Sequence, residues 1–146
     1  MRDILFNVDD ILIQEVIEIA KAAGDAIMTV YETDFDVYIK EDSSPVTMAD
    51  KKANAIIEEG LNRIRPSIPV LSEEGRDIMY VDRKEWDVFW IVDPLDGTKD
   101  YIKKNGEFTV NIALIEKNTP IFGVVYAPAI DLFFWGGKQL GAWKKN

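Results

Sequence analysis

The run from Val88 to Asp100 constrains this chain more than any other part of it. Five apolar residues, Val88-Phe89-Trp90-Ile91-Val92, stop at Asp93, and Pro94, Leu95, Asp96, Gly97 and Thr98 follow. The apolar run reads as a buried strand. Pro94 brings no N–H to a sheet ladder, so the strand is expected to end there. Asp93 and Asp96 then occupy the turn at its carboxyl end. Gly97 lets a backbone approach a ligand closely, and Thr98 opens a short helix. Two carboxylates in such a turn can share hard cations, and the N–H groups of a helix start can face an anion. Metal beside anion points to phosphate ester chemistry. An Asx turn plus a helix cap, with both acids solvated, explains this segment alone equally well.

Further acids favour the first explanation. Ile68-Pro69-Val70 leads into Leu71-Ser72-Glu73-Glu74-Gly75, a second short apolar run ending in carboxylates. Upstream, Ser44-Pro45-Val46-Thr47-Met48-Ala49-Asp50 reads as a helix start, with Thr47 as cap and Asp50 inside the first turn. A capping and dipole role alone would also account for Asp50. The repetition weighs against that: three strand ends or helix starts each deliver an acid beside a turn.

Composition narrows the chemistry. The chain of 146 residues is long enough for one domain with a real core, and 47% hydrophobic content excludes a disordered segment. Formal charge is −9, which argues against nucleic acid as a partner. The same charge suits a phosphate substrate only if the acids hold Mg²⁺, which inverts the local field. There is no cysteine and no histidine, so thiol chemistry, disulfides and imidazole catalysis are excluded. Any catalyst must use carboxylates, hydroxyls, lysines, backbone or bound metal. The start, Met1-Arg2-Asp3-Ile4-Leu5, lacks a signal pattern, and no run approaches the ~20 apolar residues of a membrane span. A cytoplasmic location is expected, with a peripheral place at the inner face of the membrane as the alternative.

Periodicity predicts one long helix over residues 10–31, capped by Asn7 or Asp9, with Leu12, Val16, Ile19, Ala20, Ala23, Ile27 and Val30 or Tyr31 inward. Gly24 inside it marks close packing or a weak point. A strand over Phe35–Ile39 and a loop over Glu41–Pro45 come next. A second helix runs from Thr47 or Met48 to Ile64, with Ala49, Ala53, Ile56, Ile57, Gly60, Leu61 and Ile64 inward, and Arg65-Pro66 ends it. Strands follow at Val70-Leu71, 88–92, 108–116, 121–127, 132–135 and around Ala142-Trp143. Lys117-Asn118-Thr119-Pro120 reads as a turn joining an antiparallel hairpin. Phe108, Val110, Ile112 and Leu114 face one side, and Ala113 and Ile115 the other, so the sheet needs cover on both faces. The two helices suffice for one. Tyr101, Tyr126, Phe133, Phe134 and Trp135 read as core aromatics, and Lys103 and Lys104 as solvated surface. The fold class is α/β, layered: two long helices on a largely antiparallel sheet.

The segments SPVTMAD, LSEEG and DPLDGTKDYIKKNGEFTVNIAL resemble the Mg²⁺-dependent, lithium-sensitive phosphatase superfamily that includes inositol monophosphatases and fructose-1,6-bisphosphatases. Lys99 after DPLDGT, the run from Gly106 to Ile115, and SPVTMAD bring the chain closest to the CysQ-type 3′(2′),5′-bisphosphate nucleotidases. The resemblance covers about Ile11 to Trp143. It implies the N-terminal half of a sugar-phosphatase-like α/β/α/β/α fold. It further implies a Mg²⁺-dependent phosphomonoester hydrolase that removes the 3′-phosphate of adenosine 3′,5′-bisphosphate, a by-product of sulfur assimilation, to give AMP and phosphate. Two or three Mg²⁺ ions serve the complete family site. By the same resemblance Glu73, Asp93 and the Leu95 carbonyl hold the first metal, Asp93 bridges to a second held by Asp96, and Glu74 helps through water. Substrate is bound by Glu73, Leu95, Asp96, Gly97 and Thr98, the last two through backbone N–H groups. Asp50 and the Thr98 hydroxyl, with Glu73, activate the attacking water. Lys40 and Lys99 stand as candidate phosphate contacts.

One departure accompanies the resemblance. Family members carry a Trp-Asp-x-Ala-Ala type segment in their second half, whose aspartate supplies a further ligand. Trp86-Asp87, followed by a strand, does not match it. Residues 1–146 are therefore expected to form the N-terminal metal-dependent phosphatase domain, without the family's C-terminal domain and with a weak second metal site. The remaining apolar face is expected to drive homodimerisation, burying Phe133, Trp135 or Trp143. Two other readings stay open: an inositol monophosphatase, disfavoured by Lys99 and the GEFTVNIAL run, and an inactive metal-binding fragment.

Overall fold

The computed structural model describes residues 6–32, 45–72 and 86–146. The first helix, α1, spans Asp10–Tyr31, as its apolar spacing predicts. Asp9 is its cap, and its Oδ1 accepts the Leu12 N–H at 2.8 Å. Leu12, Val16, Ala20, Ala23 and Ile27 are fully buried along one stripe. Gly24 is a close-packing glycine: a Cβ there would run into the Tyr126 ring.

The second helix, α2, spans Pro45–Ile64 and starts earlier than expected. Its first residue is a proline, whose fixed φ suits that position and whose missing N–H costs nothing there. Thr47 is therefore inside the helix and is not its cap. Asp50 is beyond the first turn, which holds no acidic residue, so capping does not account for it. Ala49, Ala53, Ile57, Gly60 and Leu61 are buried, and Ile56 and Ile64 half-buried. The expected strand over Phe35–Ile39 lies outside the described residues.

Among the described residues six strands form one sheet in sequential order: β1 Val70–Ser72, β2 Val88–Asp96, β3 Thr109–Glu116, β4 Thr119–Ala127, β5 Leu132–Gly137 and β6 Gly141–Lys145. Only β1 and β2 pair in parallel, so the sheet is largely antiparallel, as expected. A short helix, α3, spans Thr98–Lys103 between β2 and β3. The β3–β4 connection is two residues long. Lys117 and Asn118 both have positive φ, at 46° and 71°, the backbone of a primed hairpin turn. Thr119 and Pro120, expected in the turn, belong to β4. Pro120 sits where the register slips between Leu114 and Ile115, a place that needs no regular ladder donor.

Both long helices lie on one face. There Trp90, Val92, Val110, Ile112, Leu114, Phe122, Val124 and Tyr126 are all 2% exposed or less. Tyr101 of α3 and Phe108 complete this core, with ring centroids 5.0 Å apart. The opposite face carries Ile91, Val125 and Phe134, exposed by 41%, 37% and 43%. Phe134 is thus not a core aromatic. Phe133 is: it is buried and stacks on Tyr126 at 4.0 Å. It belongs to the covered face, so it is not available as a contact for a second copy. Trp135 is half-buried and Trp143 is 58% exposed.

Candidate active site at the carboxyl end of strand β2

β2 does not stop at Pro94. Asp93 pairs in register with Asn111 and Asp96 with Thr109, so Pro94 and Leu95 together span the place of Val110. That two-for-one mismatch is a bulge, and it absorbs the missing proline N–H. The correction matters for the site. Asp93 and Asp96 are held in a strand on either side of a bulge, which fixes their direction better than an open turn would. Asp93 is half-buried and Asp96 exposed, while Leu95 between them is 3% exposed.

Gly97 follows with φ +93°, a backbone setting that favours glycine. A Cβ at Gly97 would meet the Glu107 carbonyl oxygen at 2.9 Å and the Phe108 Cα at 3.3 Å. The close approach that needs a glycine is thus made by the chain itself. A clasp holds that neighbour in place. Asn105 Nδ2 donates to Asp100 Oδ1 at 2.8 Å, and the Glu107 N–H donates to Asn105 Oδ1 at 2.9 Å. Thr98 and Lys99 are exposed at the start of α3. Lys103 and Lys104 are exposed as expected, and Lys104 Nζ lies 5.7 Å from the Tyr31 ring centroid.

Parallel pairing sets Ser72 beside Val92, so β1 and β2 deliver their carboxyl ends to the same edge. Crevices at such ends are where ligands bind in α/β sheets. Glu73 and Glu74 follow Ser72 in sequence. They and Lys40 lie outside the described residues.

Asp50 reaches the same region from α2. It is 9% exposed, among Ala49 and Ala53, which are fully buried. Tyr101, one turn beyond Thr98 on α3, reports its charge. Burial pushes the Tyr101 hydroxyl pKa up, and the Tyr31 and Asp50 charges add to the rise. The Tyr101 hydroxyl donates to the Ile27 carbonyl at 3.0 Å, which ties α3 to α1. Asp93, Leu95, Asp96, Gly97 and Thr98 thus follow one another where β2 passes into α3, and the Asp50 charge of α2 is felt at Tyr101 of α3. Among the described residues no group of three or more acidic side chains converges as a metal cage. The donors present (two carboxylates and a bulge carbonyl) are all oxygen, which fits a hard cation that keeps several waters.

Sequence reasoning missed one feature here. Ser72 Oγ donates to Asn54 Oδ1 at 2.5 Å, and Asn54 Nδ2 donates to Glu58 Oε2 at 2.9 Å. Asn54 and Ser72 are each 7% exposed. The available signal was a polar residue four places after Asp50, on the face of α2 that the periodicity had assigned to the core.

Comparison with known proteins agrees with this architecture. The inositol monophosphatase family profile matches residues 9–146. The chain belongs to the inositol monophosphatase family. It is 49% identical over 137 residues to the 3′(2′),5′-bisphosphate nucleotidase CysQ of Salmonella typhimurium, a match covering 92% of this chain and 55% of that protein. CysQ of Escherichia coli K12 is equally similar, at 49% over 137 residues with the same coverage. Among solved structures, CysQ from Bacteroides thetaiotaomicron superposes with a TM-score of 0.84 at 44% identity, over 91% of this chain and 48% of that one. The extragenic suppressor protein suhB from Bartonella henselae follows the same fold, with a TM-score of 0.76 at 31% identity, over 92% of this chain and 51% of that one. The chain spans about half the length of the curated relatives it matches.

Proposed function

We propose that residues 1–146 form the N-terminal, metal-binding part of a Mg²⁺-dependent phosphomonoester hydrolase that takes the 3′-phosphate from adenosine 3′,5′-bisphosphate. The observation that supports this reading is the bulged strand end, which holds Asp93, Leu95 and Asp96 directly before α3, with the charge of buried Asp50 felt at Tyr101 of the same helix. Relatives at 49% identity bear the name 3′(2′),5′-bisphosphate nucleotidase, which supports the substrate class.

In this reading Glu73, Asp93, the Leu95 carbonyl and Asp96 hold Mg²⁺, and Glu74 contributes through water. The ion, when bound, lowers the pKa of its water and neutralises charge on the phosphate. The chain's own groups do the rest. Gly97 and Thr98 offer backbone N–H groups to the phosphate oxygens. Asp50 and the Thr98 hydroxyl orient the attacking water and accept its proton, a role that Glu73 shares. Lys99, exposed next to Thr98, and Lys40 attract the dianion. Lithium sensitivity, a role in sulfur metabolism and a cytoplasmic location go with the same reading. Among the described residues no helix is long and apolar enough to cross a membrane. The exposed sheet face with Ile91, Val125 and Phe134 supports self-association of the chain.

A phosphate-release assay with Mg²⁺ tests the proposal, comparing adenosine 3′,5′-bisphosphate with inositol 1-phosphate. Calorimetric titration with Mn²⁺ accompanies it. Faster release from the bisphosphate is expected, with both release and cation binding lost in Asp93→Asn. Faster release from inositol 1-phosphate would favour the inositol monophosphatase alternative. Cation binding without turnover would favour the inactive metal-binding fragment. Unchanged binding in Asp93→Asn would remove the site assignment.

A further inference from the structure

We propose that Asn54 is a positioning residue: its link to Ser72 sets the separation between Asp50 on α2 and Asp93 on β2. This rests on the reading of Asp93 as a cation ligand and deepens it.

Asn54 lies four residues after Asp50, so both project from the same face of α2. Around them Ala49, Ala53, Ile57 and Leu61 are fully buried. An apolar contact lets a helix slide along a sheet by fractions of an ångström, because dispersion is non-directional. A buried hydrogen bond does not. Ser72 Oγ donates to Asn54 Oδ1 at 2.5 Å, across 18 residues of sequence and in a buried setting. Ser72 is in parallel register with Val92, the residue before Asp93. The bond therefore links the Asp50 face of α2 to the sheet at the level of the candidate ligand.

The amide's other end removes its freedom to flip. Asn54 Nδ2 donates to Glu58 Oε2 at 2.9 Å, one turn further along α2. With Nδ2 committed to a carboxylate, Oδ1 must face Ser72. The chain Ser72–Asn54–Glu58 has one direction and ends on a carboxylate oxygen. Losing either member breaks this buried link, and the local structure adjusts around the polar group that remains. A catalytic arrangement tolerates little of that, since a shift of about 1 Å can cost on the order of a hundredfold in rate.

Paramagnetic broadening by Mn²⁺ reads this geometry without needing turnover. Mn²⁺ bound at Asp93 broadens nearby amide signals with a steep inverse dependence on distance. In the parent chain, the amides of residues 48–52 and of 96–98 should both broaden. In Asn54→Ala and in Ser72→Ala, broadening at 48–52 should fall, while 96–98 stays as in the parent. Glu58→Gln, which keeps a carbonyl acceptor for Asn54 Nδ2, should resemble the parent. Parent-like broadening at 48–52 in both alanine variants would overturn the positioning role. A parent chain with no broadening anywhere would overturn the cation reading, and the role assigned to Asn54 with it. If one alanine variant does not fold, the other decides.

Discussion

The two faces of the sheet are built from alternate residues of the same strands, yet they have different fates. On β3, Val110, Ile112 and Leu114 point to the helices and are 1% exposed or less. Their neighbours Asn111 and Ala113 point the other way and are only half-buried. β4 repeats the contrast, with Val124 at 1% exposure and Val125 at 37%. The two valines share chemistry and strand, so residue type does not decide their burial. What decides it is that α1 and α2 pack on one side only. The candidate site sits where these faces meet at the end of β2. Asp93 and Asn111 belong to the open face, and Asp50 comes from the helices covering the other.

The sharpest test of that contrast is paired truncation. Leu114→Ala removes a fully buried side chain from the helix-covered face and should cost about 2–5 kcal/mol of stability. Val125→Ala, on the open face, should stay within about 0.5 kcal/mol. Urea unfolding of both variants measures the difference. Equal losses would mean that the open face is as well packed as the covered one.

A smaller effect is expected at alkaline pH, and it concerns only the covered face. Tyr101 is buried, donates to the Ile27 carbonyl, and has its pKa pushed up by burial first and by the Tyr31 and Asp50 charges after that. Its value in the folded chain is above its unfolded value of about 10, so it contributes stability that is fully present below about pH 10. That contribution is lost as pH rises through the folded value. Tyr101→Phe should lower stability by about 1 kcal/mol at neutral pH through the lost hydrogen bond. The gap between parent and variant should narrow as pH rises above about 10. Urea midpoints taken across that range give the answer, and a gap that stays constant would show that Tyr101 does not couple folding to pH.

The smallest effect belongs to the open face. Weak self-association is expected through the patch that includes Phe134, and Phe134→Glu should abolish it in sedimentation runs at several concentrations. Trp143, also exposed, gives a second position to vary. A parent that sediments as a monomer at every concentration would mean that the open face carries no such contact.

Much of the fold was legible before the structure. The stripe Leu12, Val16, Ala20, Ala23, Ile27 made α1 legible, because a helix packed on one side leaves a period that no other element imitates. The hairpin around Lys117-Asn118 was legible too, though its turn is tighter than expected. Positive φ at both residues could not be read from lysine and asparagine alone. Proline misled twice, by suggesting a strand end at Pro94 and a turn at Pro120. A bulge tolerates a missing donor, and whether one forms depends on the partner strand's register. At the site, residue types and order were legible: acids at 50, 93 and 96, and a glycine at 97.

Sequence by itself determined the chemistry open to this chain: no imidazole or thiol, carboxylates at strand ends, and helices that bury one stripe each. Those are properties of side chains and of local periodicity, which need no partner to be read. The tertiary structure decided the rest. It placed Asp50 beyond the helix start, turned the Pro94 break into a bulge between two held acids, and set Asn54 against Ser72. It also left Val125 and Phe134 in the open while covering Val124 and Phe133. Each of these depends on which surface a residue meets across the sheet, and residues far apart in the chain supply that surface.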